Sequence, residues 1–506
     1  MRHADRARML WADSICIDQG NKKEQGHQVD NMLRIYQGSQ KVLVWLGRDT
    51  QKYAQIAVYG MKKFAQIVCD ARCIDVNSLN EIDNLYDVIP TTDMESRVFD
   101  DSRGRAAVAG FVDHSWFKRL WVIQEVGSGS GFQVLCGSSE VPFDVVALTA
   151  EYLDFTNKLN TLGIKRCIFM RYRPIISDLS ENLLILHNGR YYNASLRSDH
   201  VYGMLGLPIM EPLARSINAD YSKPFDEVFL DVAKILIPLF RNLDILSYVQ
   251  HKDGINEKFP TWVPQWDKRV SRNPSLNYLH VKCNAGKTSG LGAIIETTVL
   301  RCGGVCIDTV KEREDIDHKW FRNSKATEAT DSVLKEHPLI ALHSIQKSQR
   351  TDGSSTLDER IVAYARAICP VSRDKNVLTE SEKWLQDFLQ YMIRLLDQVG
   401  DNTTPYFDHC DESVGQWEAF ERGAYEYMWG RSLFWTENEL VGSGPNHLRE
   451  GDKICVLFGG RIPYILRPKG GFYQYVGEAY LDGFMEGKAI DMLEKGELVE
   501  EVFEIH

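Results

Sequence analysis

The order of apolar segments in the first 140 residues constrains the fold of this chain more than any other feature. Two short apolar runs, Leu10–Ile17 and Lys41–Leu46, have the length of strands. Other apolar residues recur at the spacing of one helix face, first at Val29, Met32, Leu33 and Tyr36 and then at Ala57, Met61, Phe64, Ala65 and Val68. Strands that alternate with helices are typical of a mostly parallel sheet covered on both faces. We therefore predict an α/β domain over residues 1–140, with Leu10–Ile17 as a central strand beside Val42–Leu46.

The remainder of the chain divides into two further regions. Residues 141–290 have a mainly helical pattern and contain Pro260–Trp266 (PTWVPQW), which predicts a rigid, aromatic-rich connector. Residues 291–506 mix helical patterns with short strands separated by glycine turns, the last of them at Arg431–Thr436, Lys453–Phe458, Tyr464–Arg467 and Tyr473–Tyr480. A length of 506 residues fits two or three domains. We expect an α/β domain, a helical region and a β-rich region that ends in a small β-barrel-like module.

Composition limits the classes of function that this chain can have. A formal net charge of −11 argues against a protein that binds nucleic acid over its whole surface. The most apolar stretch, Val228–Phe240, is interrupted by Asp231, Lys234 and Pro238 and is too short to span a bilayer. The 11 cysteines lie mostly inside apolar runs, without the matching pairs that a zinc site needs. We therefore expect a cytoplasmic protein without a membrane span, a metal or a nucleic-acid partner.

Four blocks within the first 126 residues carry a resemblance to a known family. They are Leu10–Gln19 (LWADSICIDQ), the helix that carries Glu24, Gln28 and Tyr36, the strand Val42–Gly47 (VLVWLG) and the segment Trp116–Val126 (WFKRLWVIQEV). In this order and at this spacing, the blocks resemble the HET domain of fungal heterokaryon-incompatibility proteins. The resemblance implies a role in non-self recognition and programmed cell death, with protein partners or self-association.

The resemblance continues beyond the HET blocks, with one departure. Arg197–Leu207, Asp220–Ser222, Trp262–Trp266 and the glycine-rich Gly442–Leu457 resemble segments that follow the HET domain in such proteins. HET domains usually open with a strand that reads roughly Leu-Ser-Tyr-x-Trp-Gly, and nothing ahead of Leu10 matches it. We therefore expect a HET domain without its opening strand, as in a chain truncated at its N-terminus, and a short sheet of reduced stability.

The HET domain in turn resembles TIR domains, which have a flavodoxin-like fold and in some cases hydrolyse NAD with a glutamate. Glu125, one helical turn after Trp121, matches that glutamate. Cleavage of the N-glycosidic bond to nicotinamide builds positive charge on the ribose, which a neighbouring carboxylate stabilises. The resemblance implies that Glu125 is catalytic, that Trp121 shields the site or stacks on a ring, and that NAD is a substrate rather than a cofactor. The alternative is a half-exposed helix carboxylate held by Lys118 or Arg119.

Three polar residues of the first block are further candidates for contact with NAD. Asp18 and Gln19 follow the predicted strand, and ligands of open α/β sheets bind beyond the carboxyl ends of strands. The alternative, which we favour, is a capping turn in which Asp18 or Asn21 accepts the first free N–H groups of the next helix. Asp13 lies inside a predicted apolar strand, where an unpaired carboxylate is costly to bury. We expect Asp13 to bond a loop or a basic side chain, and we retain a role for it in the site as the alternative.

Three functions remain open from the sequence. In the first, the HET domain is an NAD-cleaving enzyme that is switched on by clustering. In the second, it is a non-catalytic interaction module, and toxicity comes from assembly. The third is an inactive paralogue. Release of nicotinamide from NAD by the purified protein separates the first from the other two.

Overall fold

The computed structural model describes most of the chain in two compact units. The described residues are 9–18, 20–50, 52–89, 98–127, 131–156, 158–171, 181–251, 254–270, 283–287, 290, 292–316, 357–370, 378–399 and 417–506. The first unit comprises the described residues of Met1–Ile235 and Trp266–Arg269, and the second those of Leu236–Gln265 and Val270–His506.

The first unit alternates helices with a few short strands. Its first half contains α1 (Asp13–Cys16), α2 (Lys22–Gln37), β1 (Val42–Trp45), α3 (Tyr53–Arg72), α4 (Ser102–Val112), α5 (Val122–Gly127), β2 (Phe132–Cys136) and β3 (Ser139–Pro142). Helices follow, namely α6 (Phe143–Phe155), α7 (Leu162–Arg171), α8 (Glu181–Gly189), α9 (Asp199–Leu205), α10 (Glu211–Ala214) and α11 (Phe225–Phe240), the last of which continues into the second unit. The α/β character predicted for the N-terminal region is thus confirmed.

The described sheet of the first unit has three strands in the order β1-β2-β3. β1 and β2 run parallel, with Val42 opposite Phe132 and Trp45 opposite Leu135. β3 returns antiparallel to β2 after the tight turn at Gly137. The predicted mostly parallel sheet is therefore present as one parallel pair, and the described part of the chain does not extend it further.

The prediction of a strand at Leu10–Ile17 was wrong. The segment forms the single helical turn α1, in which the amides of Ile15 and Cys16 donate to the carbonyl of Ala12 at 3.0 and 2.9 Å. The carboxylate of Asp13 accepts the amide N–H of Ser14 at 2.8 Å, and such local bonds compete with strand pairing. Ile15 is 84% exposed, so this apolar segment does not enter a sheet core.

Long helices are where the sequence pattern was most informative. The predicted apolar face of α3 is buried, and Phe64 packs against Tyr152 of α6 with ring centroids 4.5 Å apart. α2 begins where Asn21 caps it, because the Asn21 side chain accepts the amide N–H groups of Lys23 and Glu24 at 3.2 Å each. This cap fixes the start of the helix that carries Tyr36 to the candidate site.

The segment after Pro264 contributes one buried tryptophan to the first unit. Trp266 is fully buried, and the guanidinium of Arg190 lies 4.7 Å from its ring centroid. Asp267 forms an ion pair with Arg197 just before α9. The aromatic-rich connector predicted from the sequence is thus anchored to the helical half of this unit by its last residues.

The second unit is built on strands. Its elements are β4 (Ile294–Glu296), β5 (Val299–Glu314), α12 (Leu357–Ile368), α13 (Leu378–Val399), α14 (Trp417–Met428), β6 (Arg431–Thr436), β7 (Val441–Pro445), β8 (Lys453–Leu457), β9 (Tyr464–Lys469), β10 (Phe472–Glu478), β11 (Tyr480–Leu481), α15 (Lys488–Glu494) and β12 (Glu500–Ile505). The β-rich C-terminal region predicted from the sequence is confirmed.

Five of these strands close into a ring. The pairing runs β5-β12-β10-β9-β8, and β8 pairs again with β5. The 16-residue strand β5 makes this closure, because Leu300–Val305 pairs with β12 while Gly304–Thr309 pairs with β8. Beyond the ring, β5 pairs with β6, which continues into β7 and β11. The small barrel expected at the C-terminal end is therefore present, and it includes a strand far upstream of the last glycine turns.

Candidate functional site

Glu125 is a buried carboxylate on the short helix α5. Glu125 is only 9% exposed to solvent. Burial raises the pKa of Glu125 to about 7, because the charged form loses its hydration in this environment. The half-exposed carboxylate that formed the alternative expectation is therefore not what the structure shows, and Glu125 titrates close to neutral pH.

Three side chains act on the charge of Glu125. The positive charge of Arg119 lowers the Glu125 pKa, the negative charge of Asp13 raises it, and a hydrogen bond from the Trp116 side chain lowers it. Arg119 also forms an ion pair with Asp13, with Nη2 3.8 Å from Oδ2. Lys118, the other cation considered from the sequence, pairs instead with Asp113 at 2.9 Å. The site thus contains two carboxylates that share one guanidinium.

Tyr36 of α2 completes this cluster. Burial, together with the negative charges of Glu125 and Asp13, raises the pKa of its hydroxyl far above the usual range, so the hydroxyl stays protonated. Trp11 packs edge-on against the Tyr36 ring, with centroids 5.8 Å apart. The apolar spacing predicts Tyr36 on the buried face of its helix rather than in the site. Its hydroxyl on an otherwise apolar face was the available signal.

Trp121 has a hydrogen-bond partner outside the cluster of Glu125, Arg119 and Tyr36. Its side chain hydrogen-bonds to Asp199, and the hydroxyl of Tyr221 donates to the same carboxylate at 3.0 Å. The amide of Glu125 bonds the carbonyl of Trp121 at 3.2 Å, so the two residues are one turn apart as predicted. The indole that hydrogen-bonds to Glu125 belongs to Trp116.

The helix is interrupted between Trp116 and Trp121, so the two indoles have different hydrogen-bond partners. Ser115–Lys118 forms a 3₁₀ turn, and Arg119 is extended at φ −78° and ψ 138°. The amide of Leu120 bonds the carbonyl of Asn193 at 2.9 Å, and α5 begins only afterwards, at Val122. The segment Trp116–Val126 is therefore not one continuous helix.

Asp18 lies in the turn between α1 and α2. Asp18 is exposed, its Oδ1 accepts the amide of Gly20 at 3.0 Å, and its own amide donates to Glu24 at 3.3 Å. Asn21 makes the cap, as the alternative expectation allowed. Asp18 follows a helical turn rather than a strand, so it does not stand at the carboxyl end of a strand. Gln19 lies outside the described residues.

The elements that carry the cluster differ from those of a site beyond the carboxyl ends of the strands. α5 precedes β2 in the chain, so Glu125 belongs to the segment that enters the amino end of that strand. The carboxyl ends of β1 and β2 lead into Gly47 and Gly137, whose backbones bond at 2.8 Å. The cluster is therefore assembled by α1, α2, α5 and the segment before α5 rather than by the loops after the strands.

This cluster offers a carboxyl group with a pKa of about 7 (Glu125), beside a cation (Arg119) and a neutral hydroxyl (Tyr36). Within the described residues, no group of three or more His, Cys, Asp or Glu side chains is placed to hold a metal ion. Over the same part of the chain, no helix has both the length and the apolar character required to cross a membrane. Proton exchange and charge stabilisation at Glu125 are the activities that the geometry allows.

The chain combines an α/β region that includes α5 with a closed barrel. Known protein families match both parts. Residues 1–125 match the family described as "Heterokaryon incompatibility protein (HET)", and residues 343–499 match the "Het-6 beta-barrel domain". The chain therefore combines a region similar to HET domains with a region similar to Het-6 barrels. The ring of the barrel extends beyond the matched range, because β5 lies upstream of residue 343.

One curated relative covers nearly the whole chain. The protein is 25% identical over 573 residues to "Heterokaryon incompatibility protein 6, OR allele" of Neurospora crassa, and the alignment covers 96% of this chain and 82% of that protein. No solved structure matches the chain.

Proposed function

We propose that this protein acts in heterokaryon incompatibility, where its HET domain triggers or relays programmed cell death after non-self recognition, and that the domain does so by hydrolysing NAD at Glu125. The similarity to a Neurospora heterokaryon incompatibility protein over most of both chains supports the biological role. The buried Glu125 beside Arg119 and Tyr36 supports the chemistry. A resemblance of the HET domain to NAD-cleaving TIR domains supplies the reaction class.

The proposed reaction breaks the bond between nicotinamide and ribose and adds water to the ribose, releasing nicotinamide, ADP-ribose and a proton. The ribose gains positive charge as nicotinamide leaves, and an ionised Glu125 stabilises that charge. A pKa of about 7 means that Glu125 is largely protonated in mild acid and ionised above neutrality. Arg119 favours the ionised form. Turnover is therefore expected to rise as the pH increases through about 7.

Tyr36 has a distinct part in this proposal. Its pKa is raised far above the usual range, so it offers a hydrogen-bond donor at every pH at which Glu125 ionises. A neutral hydroxyl next to the carboxylate can orient the ribose hydroxyl groups by hydrogen bonding. Because it carries no charge, it leaves the interaction between Glu125 and the positive charge on the ribose undisturbed. Asp13, which shares Arg119 with Glu125, sets how much of the guanidinium charge reaches the catalytic carboxylate.

A second candidate function is favoured by a separate observation. Met9, Leu10 and Ile15 are 103%, 61% and 84% exposed. Apolar side chains that lie close together on a surface are characteristic of protein contacts. On this alternative, the HET domain acts as a non-catalytic module that binds a protein partner or a second copy, and toxicity comes from assembly. An inactive paralogue is the third case.

Nicotinamide release from NAD by the purified full-length chain tests the proposal. Glu125→Gln keeps the size of the side chain and removes its charge, so it is expected to abolish turnover and toxicity in fungal cells. The matched control is Glu151→Gln on α6, because burial also raises the pKa of Glu151 to about 7 while its charged neighbours are Asp154, Lys165 and Arg171. The control is expected to retain both activities.

The outcomes separate the three functions. Toxicity that survives Glu125→Gln, with NAD left intact, supports the interaction module and refutes the enzyme. Loss of both activities in Glu125→Gln alone supports the enzyme. A wild-type chain that neither consumes NAD nor harms cells, even when artificially clustered, is an inactive paralogue. Circular dichroism of each variant establishes that the fold is retained.

A further inference from the structure

Two cysteines face each other across the strands that close the barrel. Cys306 of β5 is the register partner of Cys455 of β8, and the two strands are antiparallel. The amide of Phe458 bonds the carbonyl of Gly303 at 2.9 Å, which fixes the phase of this ladder. Counting along the ladder from that bond places Cys306 and Cys455 in a non-hydrogen-bonded pair.

Non-hydrogen-bonded pairs bring side chains closest together in an antiparallel sheet. Their Cα atoms lie about 4.5 Å apart, and disulfides span Cα separations of about 4.4–6.8 Å. Cys306 and Cys455 are both free thiols, and a hydrogen bond connects their side chains. The register therefore places the two thiols within reach of each other.

The two thiols differ in reactivity. The hydrogen bond from Cys455, together with the charge of Lys453, lowers the pKa of Cys306 despite burial and the carboxylates of Glu501 and Asp308. Burial raises the pKa of Cys455 far above the usual range, and that residue is fully buried. Cys306 is partly exposed. An accessible, acidified thiol next to a buried one is the arrangement of a thiol that an oxidant attacks and a second thiol that resolves it.

We propose that Cys306 and Cys455 form an oxidation site, at which hydrogen peroxide converts the thiol pair into an intramolecular disulfide. The thiolate of Cys306 attacks one peroxide oxygen, the O–O bond breaks, and a proton taken from solvent leaves a sulfenic acid and one water. The sulfur of Cys455 then attacks the sulfenic sulfur, its proton leaves with the departing hydroxide, and a second water forms. Two thiols are oxidised by two electrons, and one peroxide is reduced to two waters.

The position of the pair gives the reaction a structural consequence. The pairing of β5 with β8 is the contact that closes the five-stranded ring. A disulfide at this place converts a hydrogen-bonded closure into a covalent one, so backbone amides of β8 are expected to exchange more slowly with solvent after oxidation. The site lies in the barrel and is independent of any reaction at Glu125.

A neighbouring cysteine provides an internal control. Cys302 lies four residues before Cys306 on the same strand, but its register partner is Phe503. Burial raises its pKa to about 12, and the residue is 1% exposed. Cys302 is therefore expected to remain reduced under conditions that oxidise Cys306. Cys73, which is exposed, serves as the control for simple accessibility.

The test treats the reduced full-length chain with hydrogen peroxide. The chain is then unfolded in the presence of an alkylating agent, which labels the remaining free thiols, and is digested without reductant. Mass spectrometry of the monomer is expected to recover one linked peptide pair, joined through Cys306 and Cys455, with Cys302 alkylated. Cys306→Ser is expected to abolish the linked pair and leave Cys455 reduced. Cys455→Ala is expected to leave a sulfenic acid on Cys306 that dimedone traps.

The wild-type result alone decides the proposal, so a variant that fails to fold does not prevent the test. A monomer in which the Cys306–Cys455 link forms before Cys73 is oxidised supports it. The proposal is overturned if Cys306 is still reduced, and is therefore recovered alkylated, when Cys73 has been oxidised. It is also overturned if the disulfide joins Cys306 to a different cysteine.

Discussion

The guanidinium of Arg119 lies 3.8 Å from the carboxylate of Asp13, and both groups act on the pKa of Glu125 in opposite directions. Asp13 belongs to the first block of the HET domain and Arg119 to its last, so this ion pair connects residues that are far apart in sequence. The exposure of the pair limits its contribution to stability, since surface ion pairs add little. Its importance lies in how it divides one positive charge between two carboxylates.

Arg119→Ala is expected to raise the pKa of Glu125 above its value of about 7, because the cation that favours the ionised form is removed. The pH at which nicotinamide release reaches half its maximum should move upward by the same amount. Infrared titration of the protonated carboxyl band, assigned by its loss in Glu125→Gln, gives the pKa directly. Lys118→Ala is the control, since Lys118 pairs with Asp113. Equal shifts in both variants would contradict the assignment.

Asp13→Asn is expected to shift the same pKa in the opposite direction. The substitution removes a negative charge near Glu125 and leaves the Arg119 charge undivided, so the ionised form of Glu125 gains stability. Asparagine also keeps the oxygen that accepts the amide of Ser14, which preserves the local turn. The same infrared titration checks the result. Asp18→Asn on the neighbouring exposed turn should leave the Glu125 pKa where it is, and an upward shift in Asp13→Asn would refute the charge argument.

Glu125 should also destabilise the folded protein at neutral and alkaline pH. Its pKa is about 7 in the folded chain against 4.5 for the ordinary value. The contribution of protonated Glu125 to the free energy of unfolding is therefore full below pH 4.5. That contribution is lost as the pH rises through 7, and the loss amounts to about 3 kcal/mol at most. Urea unfolding from pH 4.5 to 8 is expected to show Glu125→Gln gaining on wild type as the pH rises. Glu140→Gln, at an exposed position, should follow the wild-type curve.

The sequence predicted long periodic elements better than it predicted the site. The buried face of α3 and the strand β1 follow from apolar spacing alone, because burial decides their conformation. The strand predicted at Leu10–Ile17 is absent because Asp13 and Ser14 interrupt the apolar run, and because the Asp13 carboxylate accepts the amide N–H of Ser14. A short apolar segment without periodicity does not distinguish a strand from a helical turn.

Family resemblance selected Glu125 as the candidate, but its neighbours are found only in the tertiary structure. Tyr36 reaches the site because α2 packs against α5, and no spacing within either segment encodes that contact. The exchange of Trp121 for Trp116 depends on the backbone of Leu120, which bonds Asn193 from a distant part of the chain. Interactions between segments that are remote in sequence therefore determined the part of the site that sequence patterns did not predict.

In the barrel, Asp452 is a buried charge held by three hydrogen-bond donors. Arg467 binds it in a bidentate arrangement, with Nε 2.8 Å from Oδ1 and Nη2 2.9 Å from Oδ2, and the amide of Arg449 donates to Oδ2 at 2.8 Å. Asp452 is 1% exposed. Removal of one partner of a buried ion pair leaves the other charge without compensation, which costs about 3–5 kcal/mol.

Asp452→Ala is therefore expected to lower the free energy of unfolding of the barrel by about 3–5 kcal/mol. Chemical unfolding of the full-length chain, followed by hydrogen exchange at β8 and β9, measures the loss in the strands that flank the pair. Glu450→Ala, two residues earlier and exposed, is the matched control and should change the stability by less than about 0.5 kcal/mol. Equal stabilities for the two variants would show that Arg467 finds water or another acceptor when Asp452 is absent, and that the bidentate pair does not hold the barrel together.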